Sequence, residues 1–161
     1  MVDIVSQRKR SKMMAGIRGK NTKPELLIRK GLYKRGYRYR LHYQKLPGKP
    51  DIAMPGRKII ILVNGCFWHG HDCHLFKWPA SRHEFWRAKI SGTKTRDRNL
   101  CSTYKNLGWR VLVVWECAIR GKTSLESDSL FDEVDLWIRS EKAYADIHGR
   151  NILNWADWWL L

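Results

Sequence analysis

The stretch Asp51-Ile-Ala-Met-Pro-Gly-Arg-Lys-Ile-Ile-Ile-Leu-Val-Asn64 decides how this chain folds. Pro55-Gly56 interrupts it, and the flanking runs, Asp51 to Met54 and Lys58 to Val63, read as the arms of a β-hairpin. From Ile59 to Val63 the second arm is apolar at every position, which leaves no face for water and predicts a central strand of a sheet covered on both sides. Trp109-Arg-Val-Leu-Val-Val-Trp115 has the same character and predicts a second buried strand.

Outward from these strands the pattern changes period. Thr22-Lys-Pro-Glu25 is a capping box with proline in the first turn, and Leu26, Leu27, Ile28 and Leu32 supply an apolar face, so a helix is expected over 23–35. Tyr37 to Tyr43 alternates with period two, predicting a strand with Tyr37, Tyr39, Leu41 and Tyr43 on one side and Arg38, Arg40 and His42 on the other. Leu46 to Pro50 is a turn. Ser81-Arg-His-Glu84 is a second capping box, opening a helix with Phe85, Trp86 and Ile90; a further helix is expected over 94–107, ending at Gly108, and an amphipathic one over 125–142 using Leu130, Val134, Trp137 and Ile138. The order αβββαβα, in a chain of 161 residues, predicts one α/β domain over 1–161, its sheet flanked by helices. Within it, 1–21 is a basic arm or short helix that DNA would hold, 22–143 the core, and 144–161 a tail without an assigned role that either packs on the sheet or mediates self-association.

Charge narrows the partner. Residues 1–115 hold 26 basic and 6 acidic groups, whereas 116–161 hold 5 and 9, so the field of the first two thirds is strongly positive. Such a field favours a polyanion, nucleic acid first and an anionic membrane surface second, the plain alternative being a basic surface that serves only solubility. The longest apolar run, Ile59 to Val63, is too short to span a membrane, and nothing near the N-terminus resembles an export signal, so a cytoplasmic protein with no membrane is expected.

The densest chemistry follows the central strand: Asn64-Gly-Cys66-Phe67-Trp68-His69-Gly70-His71-Asp72-Cys73-His74. Cys66, His71 and Cys73 are three borderline-soft ligands within eight residues, and Cys117 lies just beyond the other buried strand. If the two strands are neighbours, Cys117 completes a tetrahedral Cys₃His site with no open position, a structural zinc. The rival reading is buried free thiols with chance histidines; a long loop without secondary structure argues for a metal that holds it. Cys101, with Leu100 and Tyr104 nearby, goes to the core. With His71 on the metal, His69 is left over, and Asp51 is an acid in a segment otherwise nearly devoid of acids. Asp51 either ends a strand and relieves charge or, beside a phosphate-binding surface, holds Mg²⁺ while a neutral histidine deprotonates water.

Taken together, Ser11-Lys-Met-Met14 with Ile17, Asn21-Thr22-x-Pro24-Glu25, Leu46-Pro-Gly-Lys-Pro-Asp51, Gly65-Cys-Phe-Trp-His-x-His-x-Cys73, Leu75-Phe-Lys-Trp-Pro79, Phe85-Trp86, Arg96-Asp-Arg98 and Leu107-Gly-Trp-Arg-Val-Leu-Val-Val-Trp-Glu-Cys117 resemble the very short patch repair endonucleases, over about residues 8–122. The family is bacterial and similar in fold to restriction endonucleases. The acid-x-Lys triplet expected on the second strand of that sheet is absent from Ile59-Ile-Ile-Leu-Val-Asn-Gly65. The resemblance implies Mg²⁺-dependent nicking of one strand of duplex DNA, 5′ of the T in a T:G mismatch left by deamination of 5-methylcytosine. It implies Asp51 and the main-chain carbonyl of Val63 as Mg²⁺ ligands, His69 as general base, Asp97 orienting His69, and Glu25 in the outer metal shell. Cys66, His71, Cys73 and Cys117 are its zinc ligands. Phe67, Trp68 and Trp86 are its wedge into the duplex from the major groove, and Met14 lies on the minor-groove side. Each has a plainer reading: Glu25 as a capping residue, Asp97 paired with Arg96 or Arg98, Trp86 and Phe85 as core. Members often carry His where this chain has Asn64, and Asn where it has Thr93; Thr93 with Lys89 resembles a base-reading edge. A monomer on mismatched double-stranded DNA at the nucleoid is expected, with mismatch-repair proteins as assisting partners. The alternatives are a sequence-specific endonuclease on matched duplexes and a zinc-stabilised DNA-binding protein without catalysis.

Overall fold

The computed structural model describes residues 5–150. Its elements are helix α1 (Gln7–Ala15), helix α2 (Lys23–Lys34), strands β1 (Arg40–Leu41), β2 (Ile52–Met54) and β3 (Ile59–Asn64), helix α3 (His83–Asn106), strand β4 (Arg110–Trp115), helices α4 (Glu116–Ile119) and α5 (Ser127–Arg139), and strand β5 (Tyr144–Ile147). The expected hairpin forms, with β2 antiparallel to β3 across a 3-10 turn, Pro55–Arg57. The five strands make one mixed sheet in the order β1-β2-β3-β4-β5, the first two pairings antiparallel and the last two parallel.

The apolar run of β3 is divided between two layers, as strand periodicity requires. Ile59, Ile61 and Val63 meet Ile28 and Leu32 of α2 and Leu130, Phe131, Val134, Trp137 and Ile138 of α5. Ile60 points the other way, into a layer with Val111, Val113 and Trp115 of β4 and Cys101 and Tyr104 of α3. The sheet is thus covered on both faces, the α/β architecture expected from the two apolar strands.

Four local expectations are corrected. Of the strand expected over Tyr37 to Tyr43, only Arg40–Leu41 pairs, because His42 takes a left-handed backbone (φ 45°) and reverses the alternation. Leu41 is exposed, and Tyr43 packs in the α3 layer, whereas Tyr37 and Tyr39 pack in the α2 layer. The two helices expected over 81–107 are one, α3; Gly92 lies within it facing open space, at a cost of about 1 kcal/mol that flanking packing absorbs. Its capping box does not form, since left-handed Arg82 occupies the N-cap without a side-chain bond. The Thr22 box does form: Thr22 Oγ1 accepts from Glu25 N, and the Glu25 carboxylate accepts from Asn21 N and from the Thr22 hydroxyl. Helix α5 is shorter than the 125–142 expected. Of the two readings of the 144–161 tail, packing on the sheet describes its first part, the edge strand β5; the aromatic Trp155 to Leu161 segment and its self-association reading lie outside the described residues.

Helix α1 buries no residue and exposes Met13 and Met14 beside Arg8, Lys9, Arg10 and Lys12, and Ile17, just after the helix, is exposed as well. Among the described residues no helix is long and apolar enough to cross a membrane.

Candidate active site and metal cluster

Parallel pairing of β3 with β4 places Asn64 opposite Trp115, so the loop after β3 and the turn after β4 leave the same end of the sheet. That juxtaposition brings Cys117 to Cys66, His71 and Cys73, whose ligand atoms all lie within 4.8 Å of one another, with His71 Nδ1 3.6 Å from Cys117 Sγ. A tetrahedral ion with ordinary metal–sulfur and metal–nitrogen lengths needs ligand separations of about 3.5–3.8 Å, so the set fits one with little adjustment. Three thiols and one imidazole suit a borderline-soft cation. The site is closed: Cys66, His71 and Cys117 are buried, and the His71 ring stacks on Trp115 at 4.2 Å and 11°. A hydrogen bond from the Cys66 thiol, helped by His71 and the Gly149 N–H, pulls Cys117 down to about 4, while the same pairing and burial push Cys66 up. Cys101, remote from this set, is buried on α3 and pushed up to about 12 by burial.

The loop is a series of nested turns. His71 N donates to Cys66 O (2.9 Å), Cys73 N to His71 O (2.9 Å), and Cys66 N to Glu116 Oε2 (3.1 Å). Gly70 is the point of closest approach to α3: a Cβ there would stand 2.5 Å from Ile90 Cγ2 and 2.8 Å from Lys94 Cε, and its φ of +60° suits glycine. With Gly70 seated against Ile90 and Lys94, His69 comes beside Asp97, two turns along the helix from Ile90. His69 Nδ1 lies 2.5 Å from Asp97 Oδ2, both side chains mostly shielded. An ionised carboxylate can only accept, so Nδ1 carries the proton and a neutral His69 keeps its lone pair on Nε2. The pairing of Asp97 with a neighbouring arginine is thereby replaced by one with His69.

Asp51 stands at the start of β2, across from the end of β3, where its Oδ2 accepts the Val63 N–H at 2.9 Å. Burial pushes its carboxyl up to about 6, the Glu25 charge adding to this while the Val63 N–H, Arg29 and His69 pull the other way. Behind it lies a network that the sequence did not reveal. Arg29, buried, donates to Glu25 Oε2 (2.7 Å) and Asn21 Oδ1 (2.6 Å) and meets His42 Nε2 (3.2 Å). Glu25 is therefore both the capping residue and half of an ion pair, its two oxygens engaged by Asn21, Thr22 and Arg29.

Phe67, Trp68 and Trp86 form one aromatic group, with centroids 5.1 Å (Phe67–Trp68), 5.3 Å (Phe67–Trp86) and 6.2 Å (Trp68–Trp86), each ring partly exposed. Phe85 is exposed rather than core. Lys89 and Thr93 lie one turn apart on the outer side of α3, and the Thr93 hydroxyl donates back to Lys89 O at 3.1 Å, leaving its oxygen to accept. Met14 is exposed on α1.

The model of the family described as DNA mismatch endonuclease Vsr matches residues 2–75. The DNA mismatch endonuclease Vsr of Escherichia coli (strain K12) is 41% identical over 152 residues, 94% of this chain and 97% of that protein. The Type II nicking enzymes V.XorIIP of Xanthomonas oryzae pv. oryzae and V.NmeAIP of Neisseria meningitidis serogroup A are 42% and 41% identical, covering 79% and 76% of this chain and 93% and 87% of their own. The Escherichia coli alignment, at 152 residues, is longer than the stretch 8–122 that carries the sequence resemblance. On this similarity along nearly its whole length, the chain belongs to the Vsr family of DNA mismatch endonucleases.

Proposed function

We propose that this DNA endonuclease nicks one strand of a duplex 5′ of the T in a T:G mismatch, with Mg²⁺ held by Asp51 and the Val63 carbonyl and zinc held by Cys66, His71, Cys73 and Cys117. The single observation that carries the reading is that Asp51, held at the end of β3 by the Val63 N–H, lies within reach of the charge of His69, which Asp97 orients, so that three separate segments meet at one end of the sheet.

His69 is poised as a general base. Asp97 fixes its tautomer, so that Nε2 is free to take a proton from water and the imidazolium that forms meets a carboxylate. Asp51, raised to about 6, is largely ionised at neutral pH and is the acid with a bonding partner on the neighbouring strand; extended backbone points the Val63 carbonyl to the same edge as its N–H. Mg²⁺ bound there would neutralise charge on the scissile phosphate and lower the pKa of a bound water. Glu25, with its oxygens already engaged, suits an outer position rather than direct ligation. Phe67, Trp68 and Trp86 present edges and faces that can enter a stack already weakened by a mismatch, while α1 with Met14 supplies a basic arm for the opposite groove. Lys89 and the Thr93 oxygen offer polar contacts on the α3 side. The protein acts as a monomer, in the cytoplasm, on nucleoid DNA, with mismatch-repair proteins as its assistants.

The test is a strand-break assay on T:G and matched duplexes with Mg²⁺. Nicking confined to the mismatch supports the proposal, cutting of both makes the enzyme a sequence-directed endonuclease, and no cutting by zinc-loaded protein rejects it. Metal analysis should find near-stoichiometric zinc, and a strong chelator should lower thermal stability in a way that Mg²⁺ does not restore.

A further inference from the structure

After β5 the chain turns back under the metal cluster. The Gly149 N–H points at Cys117 Sγ, 3.4 Å away, in a buried position, and Arg150 N donates to Thr123 O at 2.7 Å. Thr123 Oγ1 lies 3.2 Å from His74 Nδ1 and 3.5 Å from Cys117 O, tying this corner to the residue after Cys73. Gly149 is the residue that permits so close an approach: a Cβ there would stand 2.3 Å from Thr123 Oγ1 and 2.7 Å from the carbonyl oxygens of both Cys117 and Thr123. Two of those three atoms are backbone and cannot turn away.

A neutral thiol is a weak acceptor, so an N–H buried against it gains little; a thiolate on a divalent cation accepts a charge-assisted bond. Groups that bond to metal ligands orient them and tune the metal, and their loss ordinarily costs 10–100-fold in affinity. We infer that Gly149 is a positioning residue of the metal centre, its amide fixing the Cys117 thiolate, and that the metal in turn fastens the C-terminal edge of the sheet. The inference rests on the assignment of Cys66, His71, Cys73 and Cys117 as metal ligands. Strand β5 is only four residues long and pairs on one side, with β4, so an anchor immediately after it matters more than it would for a central strand.

The experiment uses the full chain, nitrogen-15 labelled and loaded with cadmium-113 in place of its native metal. Scalar coupling from cadmium to the β-protons of Cys66, Cys73 and Cys117 reports ligation, and coupling to the Gly149 amide proton reports the N–H···S bond. Both together are the expected result. Cysteine couplings without the Gly149 coupling would overturn the inference and leave the ligand assignment standing, whereas absent cysteine couplings would overturn the assignment itself. In a second arm Gly149→Ala should surrender its metal to a chelator about 10- to 100-fold more readily, with faster amide exchange across Tyr144–Ile147. A folded Gly149→Ala protein that keeps its metal as the wild type does would also overturn it. Should that variant not fold, the coupling measured on the unaltered chain decides.

Discussion

The Cys/His cluster and the proposed acid–base group both draw on the loop after β3, yet they are built oppositely. Cys66, His71, Cys73 and Cys117 turn their donor atoms toward one another, three of them buried and Cys73 half-buried. Asp51, His69 and Asp97 lie between core and solvent, and the ring nitrogen of His69 that Asp97 does not take is directed away from its partner. The residues alternate along the chain: Cys66, then Phe67, Trp68 and His69, then His71 and Cys73. Each pinned position holds its neighbours, so the closed cluster immobilises the loop that presents the open one. The two also differ in what a substitution should do, chemistry in one case and architecture in the other.

The largest effect is expected at Asp51. If Asp51 is the metal ligand proposed above, Asp51→Ala removes that ligand and a negative charge from the DNA-facing site, so nicking of a T:G duplex should fall by at least about a thousandfold while DNA affinity stays equal or rises. A variant that still nicks near the wild-type rate would remove Asp51 from the chemistry. His69→Ala should lose about 10²- to 10⁴-fold with binding retained, and its deficit should shrink as pH rises and hydroxide replaces the missing base, whereas the Asp51 defect persists at every pH. A His69 deficit independent of pH would make it a structural neighbour of the cluster. Next come Phe67 and Trp68: truncation of either to Ala should cost about 1–3 kcal/mol of binding to a mismatched duplex and less to a matched one. Equal losses, or a lowered melting temperature alone, would return these rings to the fold.

The smallest effect concerns stability. Asp51 in the fold holds its proton up to about 6, above the ordinary 3.8, so the folded state binds protons more tightly than the unfolded one between those values. Stability therefore rises as pH falls through 6, and above 6 the buried ionised carboxylate is a cost. Without Mg²⁺, Asp51→Asn, whose amide oxygen can still accept the Val63 N–H, should be more stable than wild type at pH 8 by up to about 3 kcal/mol. The advantage should narrow towards pH 5. A variant less stable than wild type at pH 8 would mean that Asp51 is a structural residue.

The hairpin, both buried strands and the four side chains that cluster, Cys66, His71, Cys73 and Cys117, were legible in the sequence, because each is a local pattern: an apolar run, a turn dipeptide, a spacing of soft donors beside a strand end. The capping box at Thr22 was legible for the same reason, and the one at Ser81 misled because a cap also needs the right backbone, which Arg82 takes up differently. The break expected before residue 94 does not occur, since exposed Gly92 merely weakens a helix whose other face is packed. Tyr37 to Tyr43 promised one strand face and delivered two, owing to the single left-handed residue His42.

By itself the sequence determined the α/β class, the basic character of the first two thirds, and which side chains were available for metal and acid–base chemistry, all of which follow from composition and short-range periodicity. Only the tertiary structure decided who meets whom. His69 finds Asp97 28 residues away because glycine at 70 lets the loop close onto α3; Arg29 reaches beyond its own helix to His42; and the Gly149 amide arrives at Cys117 across 32 residues. Such contacts carry no local signature, because they depend on how whole elements pack on the sheet and, for Gly149 and Cys117, on parallel pairing of β4 with β5; strand order is set by burial of the whole sheet rather than by any one segment.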